Sequence, residues 1–423
     1  MKRILFVFAT AWDAKQLEAC RGAWEGRYRI EFVPPSDVDC PDGFRAAAWL
    51  EETARRWRGR ADGVTSSSDY PGATLAAALA RELGVPGSAP EAILRCSHKW
   101  YSRAAQREVV PEATPWFALV DPKRPLANVG ALRFPCWVKP VKGSFSVFSR
   151  RVDRAEELAA FLDRPSVHEF VDRYLELFHE LVREHTGFEK DGRWFLAEEL
   201  LTGSLATVEG FAAEGDVEIV GIVDSVTHPV TGSFVRFNYP SALPRDVQER
   251  MRDIAVRLIR ATALSSSMFN IEMMYDPRED RVRVIEVNPR LCGQFADLYA
   301  KVDGTSGYEV ALAVAAGERP EIRRGGRSQR AASSFPLRVF EHVRVTRSPD
   351  ERVVRRVEAE HPGALVWNEC AAGQELAEFE GTEDGASCRY GVVNVGGLDR
   401  ADVLARFDEV LGDLDWAFAP LRS

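Results

Sequence analysis

Residues 270–294 read NIEMMYDPREDRVRVIEVNPRLCGQ. Glu272 and Glu286 interrupt apolar runs that otherwise suit strands over 268–275 and 281–288, joined by a DPRED turn. With Tyr275 facing Arg281, the turn sets Glu272 opposite Val284 and Glu286 diagonal to Glu272, about 7–8 Å away at Cα. Asn288 shares that face by the two-residue strand period, and a one-residue slip would part the two carboxylates. Two carboxylates and an amide oxygen on one face suit Mg²⁺, with phosphate oxygens and water completing the shell. Arg290 continues the stepping to the strand end, where a guanidinium can hold a carboxylate or a transferring phosphoryl group. Nothing beside Cys292 would activate its thiol. The competing reading is an exposed hairpin whose outer face carries acids.

The rest of the chain sets the frame. Its 423 residues allow two to four domains with ample core, and 45% hydrophobic with 28% charged residues is ordinary globular composition. A net charge of −9 argues against a general nucleic-acid or anionic-membrane binder, but leaves room for a local basic cleft that holds a small polyanion. MKRILFVFATAW reads as a first buried strand rather than a signal peptide, and no apolar run reaches membrane-span length. Seven cysteines without a C-x-x-C, and histidines without metal spacing, suggest reduced thiols in a cytoplasm and no zinc site.

Strand 4–8, helices 14–25 and 44–58, strand 61–67 and helix 74–84, stopped by Gly84, predict a small α/β domain with a parallel sheet. No G-x-G-x-x-G follows the first strand, so a dinucleotide fold of the usual kind is not supported. Strands are predicted at 115–120 and 134–141, then a helix over 153–162 with Asp153 as N-cap. Residues 166–185 have helical period and a wide apolar face. A packed helix is the expectation; a cover over a site or a homodimer contact is the sharper reading. RWFLAEELL and ATVEGFAAE follow as strands. A hairpin turns around Pro229–Gly232, a long helix runs over 244–264, and another covers 305–316. RRGGRSQRA (323–331) reads as a linker. Strands near 335–346, 364–370 and 389–395 with helices near 350–361 and 400–412 make a small α+β appendage.

The E-x-N-x-R of Glu286, Asn288 and Arg290, preceded by a strand bearing Glu272, resembles the metal site of the ATP-grasp enzymes. GVPGSAPEAILRCSHKWYSR (84–103) is similar to the entry to that fold, and FPCWVKPVKGSFS (134–146) to its phosphate-binding strand and glycine-rich lid, here with the single glycine Gly143. FLAEELLTGSLATVEG (195–210) resembles the hinge strand that reads adenine. The resemblance implies an ATP-grasp fold of α/β and α+β class. It divides into an N-terminal α/β (pre-ATP-grasp) domain at 1–97, a lid subdomain with an inserted helix at 98–197, a metal and substrate subdomain at 198–325, and a small C-terminal α+β subdomain at 326–423. It also implies ATP bound by Lys99, Lys139, Ser146 and the backbone of Glu198, Glu199 and Leu201. Mg²⁺, with Mn²⁺ as a substitute, would sit on Glu272, Glu286 and Asn288, and Arg290 would be the catalytic group beside the substrate. Leu205 stands where the family often has an acid, which turns attention to Glu209.

The layout is similar to the carboxylate–amine ligases of the L-amino-acid ligase and carnosine-synthase-like group. That implies an amide bond made through an acyl phosphate from a carboxylate and an amine, both small molecules and both expected to be amino acids. Arg236, Asn238 and Tyr239 are the expected lining of the acceptor pocket, with Arg236 either holding a second carboxylate or standing as an ordinary surface arginine. The alternative within the same superfamily is a biotin-carboxylase-like or purine-pathway carboxylase acting on bicarbonate; outside enzymes, a degenerate ATP-binding module.

Overall fold

In the computed structural model the described residues are 1–36, 43–143, 146–325, 327–377 and 386–421. Cys40, and Ser144 and Phe145 of the expected lid, lie outside them. The apolar ILFV run forms β1 (Lys2–Val7), buried and flanked in parallel by β2 (Tyr28–Val33) and β3 (Gly63–Thr65). This is the expected N-terminal α/β layer. Helix Gly72–Leu83 ends where Gly84 takes φ +67°, a conformation that costs a glycine little.

A second, antiparallel sheet holds β4 (Phe117–Val120), β5 (Cys136–Pro140), β6 (Arg150–Val152) and β7 (Phe195–Glu198), in the order β4-β7-β5-β6. The helix beyond β6 spans Ala155–Leu162 and follows Arg154 with no side-chain cap, so Asp153 is not its N-cap. Asp153 instead pairs with Arg151 and donates its N–H to Glu157. Residues 166–185 do not form one helix. Pro165–Glu169 and Glu176–His185 are α-helical, and between them Leu175 N–H reaches back to Phe170 C=O in a wider turn. Val167, Phe170, Val171, Leu175, Phe178, Leu181 and Val182 are all buried, in the cluster that also holds Val138 and Phe195. That face is therefore packed inward and is not left for a second copy.

The large sheet is antiparallel and holds eight strands. Its members are β8 (Ser204–Ala213), β9 (Asp216–Thr227), β10 (Phe234–Tyr239), β11 (Ser267–Asp276), β12 (Arg281–Asn288) and β13 (Ala331–Val339), and, after β14 (Val343–Arg347), β15 (Leu365–Asn368) and, after β16 (Glu375–Leu376), β17 (Cys388–Gly397). The order is β12-β11-β8-β9-β10-β13-β17-β15. The expected boundary at 325/326 thus falls within one sheet, because β13 pairs with β10 on one side and β17 on the other. Only β14, β16 and β18 (Ala417–Pro420) form a small sheet of their own. Among the described residues no helix is long and apolar enough to cross a membrane.

The hairpin register corrects the sequence-based one. Asp276 pairs with Arg281 and Met273 with Val284, but Glu272 pairs with Glu286, so Ile285 is an extra residue in β12. Without this bulge the turn register would put Ile285 opposite Glu272 and send Glu286 to the other face. The two carboxylates are directly opposed rather than diagonal.

The link from β7 to β8 passes close to the end of β11. Gly203 has φ +129°, and a Cβ there would lie 2.1 Å from the Tyr275 carbonyl oxygen. Gly203→Ala should therefore destabilise the protein by about 2–4 kcal/mol, read as a lower denaturant midpoint at unchanged slope.

Candidate active site

The Ile285 carbonyl, at the bulge in the edge strand β12, takes side-chain donors. Arg103 Nη2 supplies one at 2.8 Å and Lys139 Nζ lies at 3.4 Å. Both cations come from separate elements, the helix Lys99–Val109 and β5, and both reach Glu198 at the end of β7. Arg103 Nε lies 2.6 Å and Lys139 Nζ 2.7 Å from the Glu198 carboxylate. Burial alone would raise the Glu198 pKa, but the two cations outweigh it and hold it down to about 2. Burial lowers the Lys139 pKa, and Glu198 opposes that.

One helical turn before Arg103, and so on the same face, Lys99 reaches Glu286 at 3.1 Å and donates to the Gly143 carbonyl at 3.0 Å. Glu272 is pushed up by burial and then by the facing Glu286. Next along the same face, Asn288 Nδ2 donates to Asn270 Oδ1 at 3.1 Å, and Asn270 Nδ2 donates to the Arg290 carbonyl at 3.2 Å. This amide relay commits the Asn288 nitrogen and leaves its oxygen as the acceptor end. Arg290 Nε is 3.8 Å from Asp69, whose carboxylate accepts from Lys142 Nζ at 2.5 Å.

One cleft collects most of the expected residues. Lys99, Lys139, Ser146, Glu272, Glu286, Asn288 and Arg290 all line it. The others sit elsewhere. Glu198 lies behind the wall, acting through its carboxylate rather than its backbone, which is flanked by β4 and β5. Glu199 N–H donates to the Trp116 carbonyl, and Leu201 lies in the link after β7, outside the ladders. Glu209 is on the cleft's face of the sheet but sealed, accepting the Cys292 N–H at 2.7 Å. Burial pushes it up to about 7 against that bond. It anchors the loop that carries Arg290 and meets no substrate. Cys292 lines the cleft, but burial and then Glu209 raise its thiol to about 12, so it is no nucleophile.

Arg236 is turned away. Val235 and Arg236 together oppose Val226 of β9, while Phe234 pairs with Thr227 and Phe237 with Ser225. This second bulge keeps Phe234 and Phe237 on the cleft face and sends Arg236 to the other. There burial, and then Arg400, lower its pKa. Asn238 shares that far face, bonded to Ser333, and Tyr239 is buried with its hydroxyl on Asp303. The cleft residues missed from sequence are Asp69, Trp137, Phe234, Phe237, Gln294, Phe295, Pro336, Arg338 and Arg389. Few carry a local signal.

The donor set fits a hard divalent cation with a polyphosphate. Glu272 and Glu286 face each other with one lysine between them and the solvent, and Asn288 adds a neutral oxygen. Among the described residues no cluster of three or more His, Cys, Asp or Glu gathers to hold a metal. A cation here would thus draw its remaining ligands from phosphate and water, as Mg²⁺ does.

Residues 132–297 match the ATP-grasp domain family. The chain is 30% identical over 288 residues to the uncharacterised protein y4rH of Sinorhizobium fredii, across 65% of this chain and 52% of that protein. It therefore spans about half the length of this curated relative. The crystal structure of L-amino acid ligase from Bacillus licheniformis superposes with TM-score 0.72 at 16% identity, covering 100% of this chain and 99% of that one. Biotin carboxylase from Campylobacter jejuni superposes with TM-score 0.64 at 14% identity, covering 99% and 92%. The fold is the ATP-grasp fold along the whole chain.

Glu198→Gln removes the one carboxylate that neutralises Arg103 and Lys139. The variant should lose about 3–5 kcal/mol at pH 7. Because the folded pKa of Glu198 is depressed, its contribution is full above the ordinary value of 4.5 and is lost as pH falls toward about 2. The stability gap between the parent and the variant should begin to close below pH 4.5, measured by denaturant unfolding from pH 7 to pH 3.

Proposed function

We propose that this chain, whose residues 132–297 are an ATP-grasp domain, is an ATP-dependent carboxylate–amine ligase. The observation that carries the reading is the convergence on one cleft of the opposed Glu272 and Glu286, of Lys99 and Lys139, and of Arg290. A carboxylate substrate would take the γ-phosphoryl group of ATP to give an acyl phosphate and ADP. An amine would then displace phosphate to leave an amide.

Each group has a task in that sequence. Lys99 and Lys139 now neutralise Glu286 and Glu198. A triphosphate competes for the same ammonium groups, so its charge replaces one that is already balanced. Mg²⁺ on Glu272, Glu286 and Asn288 would supply charge neutralisation at the phosphate oxygens. Arg290 holds the carboxylate and then the oxygens that gain charge as the acyl group is attacked. Asp69 and Glu209 fix that arginine's approach: Asp69 through its charge, Glu209 by anchoring the following loop at Cys292 N–H. Lys142 stays with Asp69; burial lowers its pKa and Asp69 counters this. The adenine edge would fall to the backbone of the link after β7, with Leu201 the residue there that the flanking ladders leave out.

The test is ADP release. It should require both a carboxylate and an amine, and Glu286→Gln should lower it by a factor on the order of 10²–10³. Near-normal turnover in that variant removes Glu286 from the metal set. ADP release driven by bicarbonate without any amine would instead place the chain with the carboxylases.

A further inference from the structure

The cleft floor changes character as it crosses the large sheet. At β11 and β12 it is charged, with Glu272, Glu286, Asn288 and Arg290. At β8 and β9 it is neutral, with Thr207 and Ser225. At β10 it becomes aromatic. Phe234 and Phe237 have ring centroids 5.2 Å apart, and Phe237 meets Phe295 edge-on at 5.1 Å. Pro336 of β13 extends this wall. The loop that starts with Arg290 after β12 ends at Phe295, so one short segment carries both the proposed carboxylate-holding group and part of the aromatic wall.

The charges at this end are cationic or already paired. Arg338 Nε donates to the Phe234 carbonyl and Nη1 to Ser387, both at 2.9 Å. Arg389 is held in a two-point pair by Glu369 at 2.7 and 2.8 Å. Among the described residues, the lining beyond Ser225 contains no carboxylate. An aliphatic or aromatic group would gain contact with the half-buried Phe234 and with the cleft-facing edges of Phe237, Phe295 and Pro336.

We propose that the carboxylic acid activated in this cleft carries a bulky apolar side chain, seated against Phe234, Phe237, Phe295 and Pro336. This rests on the ligase reading above. It names the substrate class as 2-amino or other carboxylic acids with an aliphatic or aromatic side chain, as against small ones. The side chain is held by burial, so selectivity grows with apolar length rather than with any one polar contact.

The experiment uses the full chain with MgATP and hydroxylamine as the amine, so that one carboxylate is present and the product is its hydroxamate. Donors form an unbranched series: alanine, 2-aminobutyrate, norvaline and norleucine, with glutamine and lysine as polar counterparts of norleucine. The expected result is kcat/KM rising about fourfold per added methylene, with both polar counterparts well below norleucine. Hydroxamate formation with a flat or falling series, or with lysine or glutamine preferred, overturns the apolar seat and leaves the ligase reading standing. ADP release from bicarbonate alone, with no hydroxamate from any donor, overturns the ligase reading and the proposal with it. Phe234, only half-buried, is the safer position to change. Phe234→Ala should flatten the chain-length slope; a full slope in that variant overturns the wall assignment.

Discussion

One extra residue in a strand decides which way two acids point. Ile285 is the extra residue in β12, and its carbonyl meets Arg103 and Lys139. Those cations are in turn buried only because Glu198 neutralises both. The chain of dependence runs from a carboxylate on β7, through a helix and a second sheet, to the facing of Glu272 and Glu286. Lost charge at Glu198 would strand two cations and loosen the donors that hold the bulge in place.

The site's charges are balanced before any ligand arrives. Each lysine on the cleft wall has an acid: Lys99 has Glu286 and Lys139 has Glu198, while Lys142 behind them has Asp69. A buried lysine without a counter-charge shifts toward its neutral form. Pairing therefore gives each of these ammonium groups a counter-charge that holds it in place. The partners are of two kinds. Glu286 belongs to the donor set that would bind a cation, and now pairs with Lys99. Glu198 and Asp69 belong to the scaffold, and Asp69 ties the N-terminal domain to Arg290 as well.

The strands of the hairpin, the position of Arg290 and the N-terminal parallel sheet were legible in the sequence, because alternation and turn chemistry are local; the expectation for Lys99 and Lys139 rests on the resemblance to the ATP-grasp enzymes. In the hairpin the shared face of Glu272 and Glu286 is as expected but the pairing differs: Asp276 rather than Tyr275 faces Arg281, and the extra residue Ile285 brings Glu286 back opposite Glu272. Arg236 points away from the cleft because a bulge in β10 reverses the parity between Phe234 and Phe237. What stabilises the β12 bulge lies far away in the chain, at Arg103 and Lys139, so no window around it reveals it. Asp69, Phe295, Pro336 and Arg338 escaped for a related reason. Each is an ordinary loop or strand residue until the sheet brings it beside the others. The unbroken helix expected over 166–185 failed differently: one wide turn at Phe170–Tyr174 shifts the phase, keeping Phe170, Val171, Leu175 and Phe178 inside while Tyr174 turns out to solvent.

Strand order also has a consequence in time. Within the large sheet β10 borders β9 on one side and β13 on the other, and β13 in turn needs β17, which ends at Gly397. While the chain is being made, everything up to residue 325 can exist with β10 as a bare edge that offers unpaired backbone to any neighbouring strand. The aromatic wall would stand open to water, and Pro336 and Arg338 would not yet have arrived. A nascent chain is thus exposed to mispairing for as long as the last quarter takes to emerge. The enclosure that distinguishes one acid from another is finished only when the last of these strands docks.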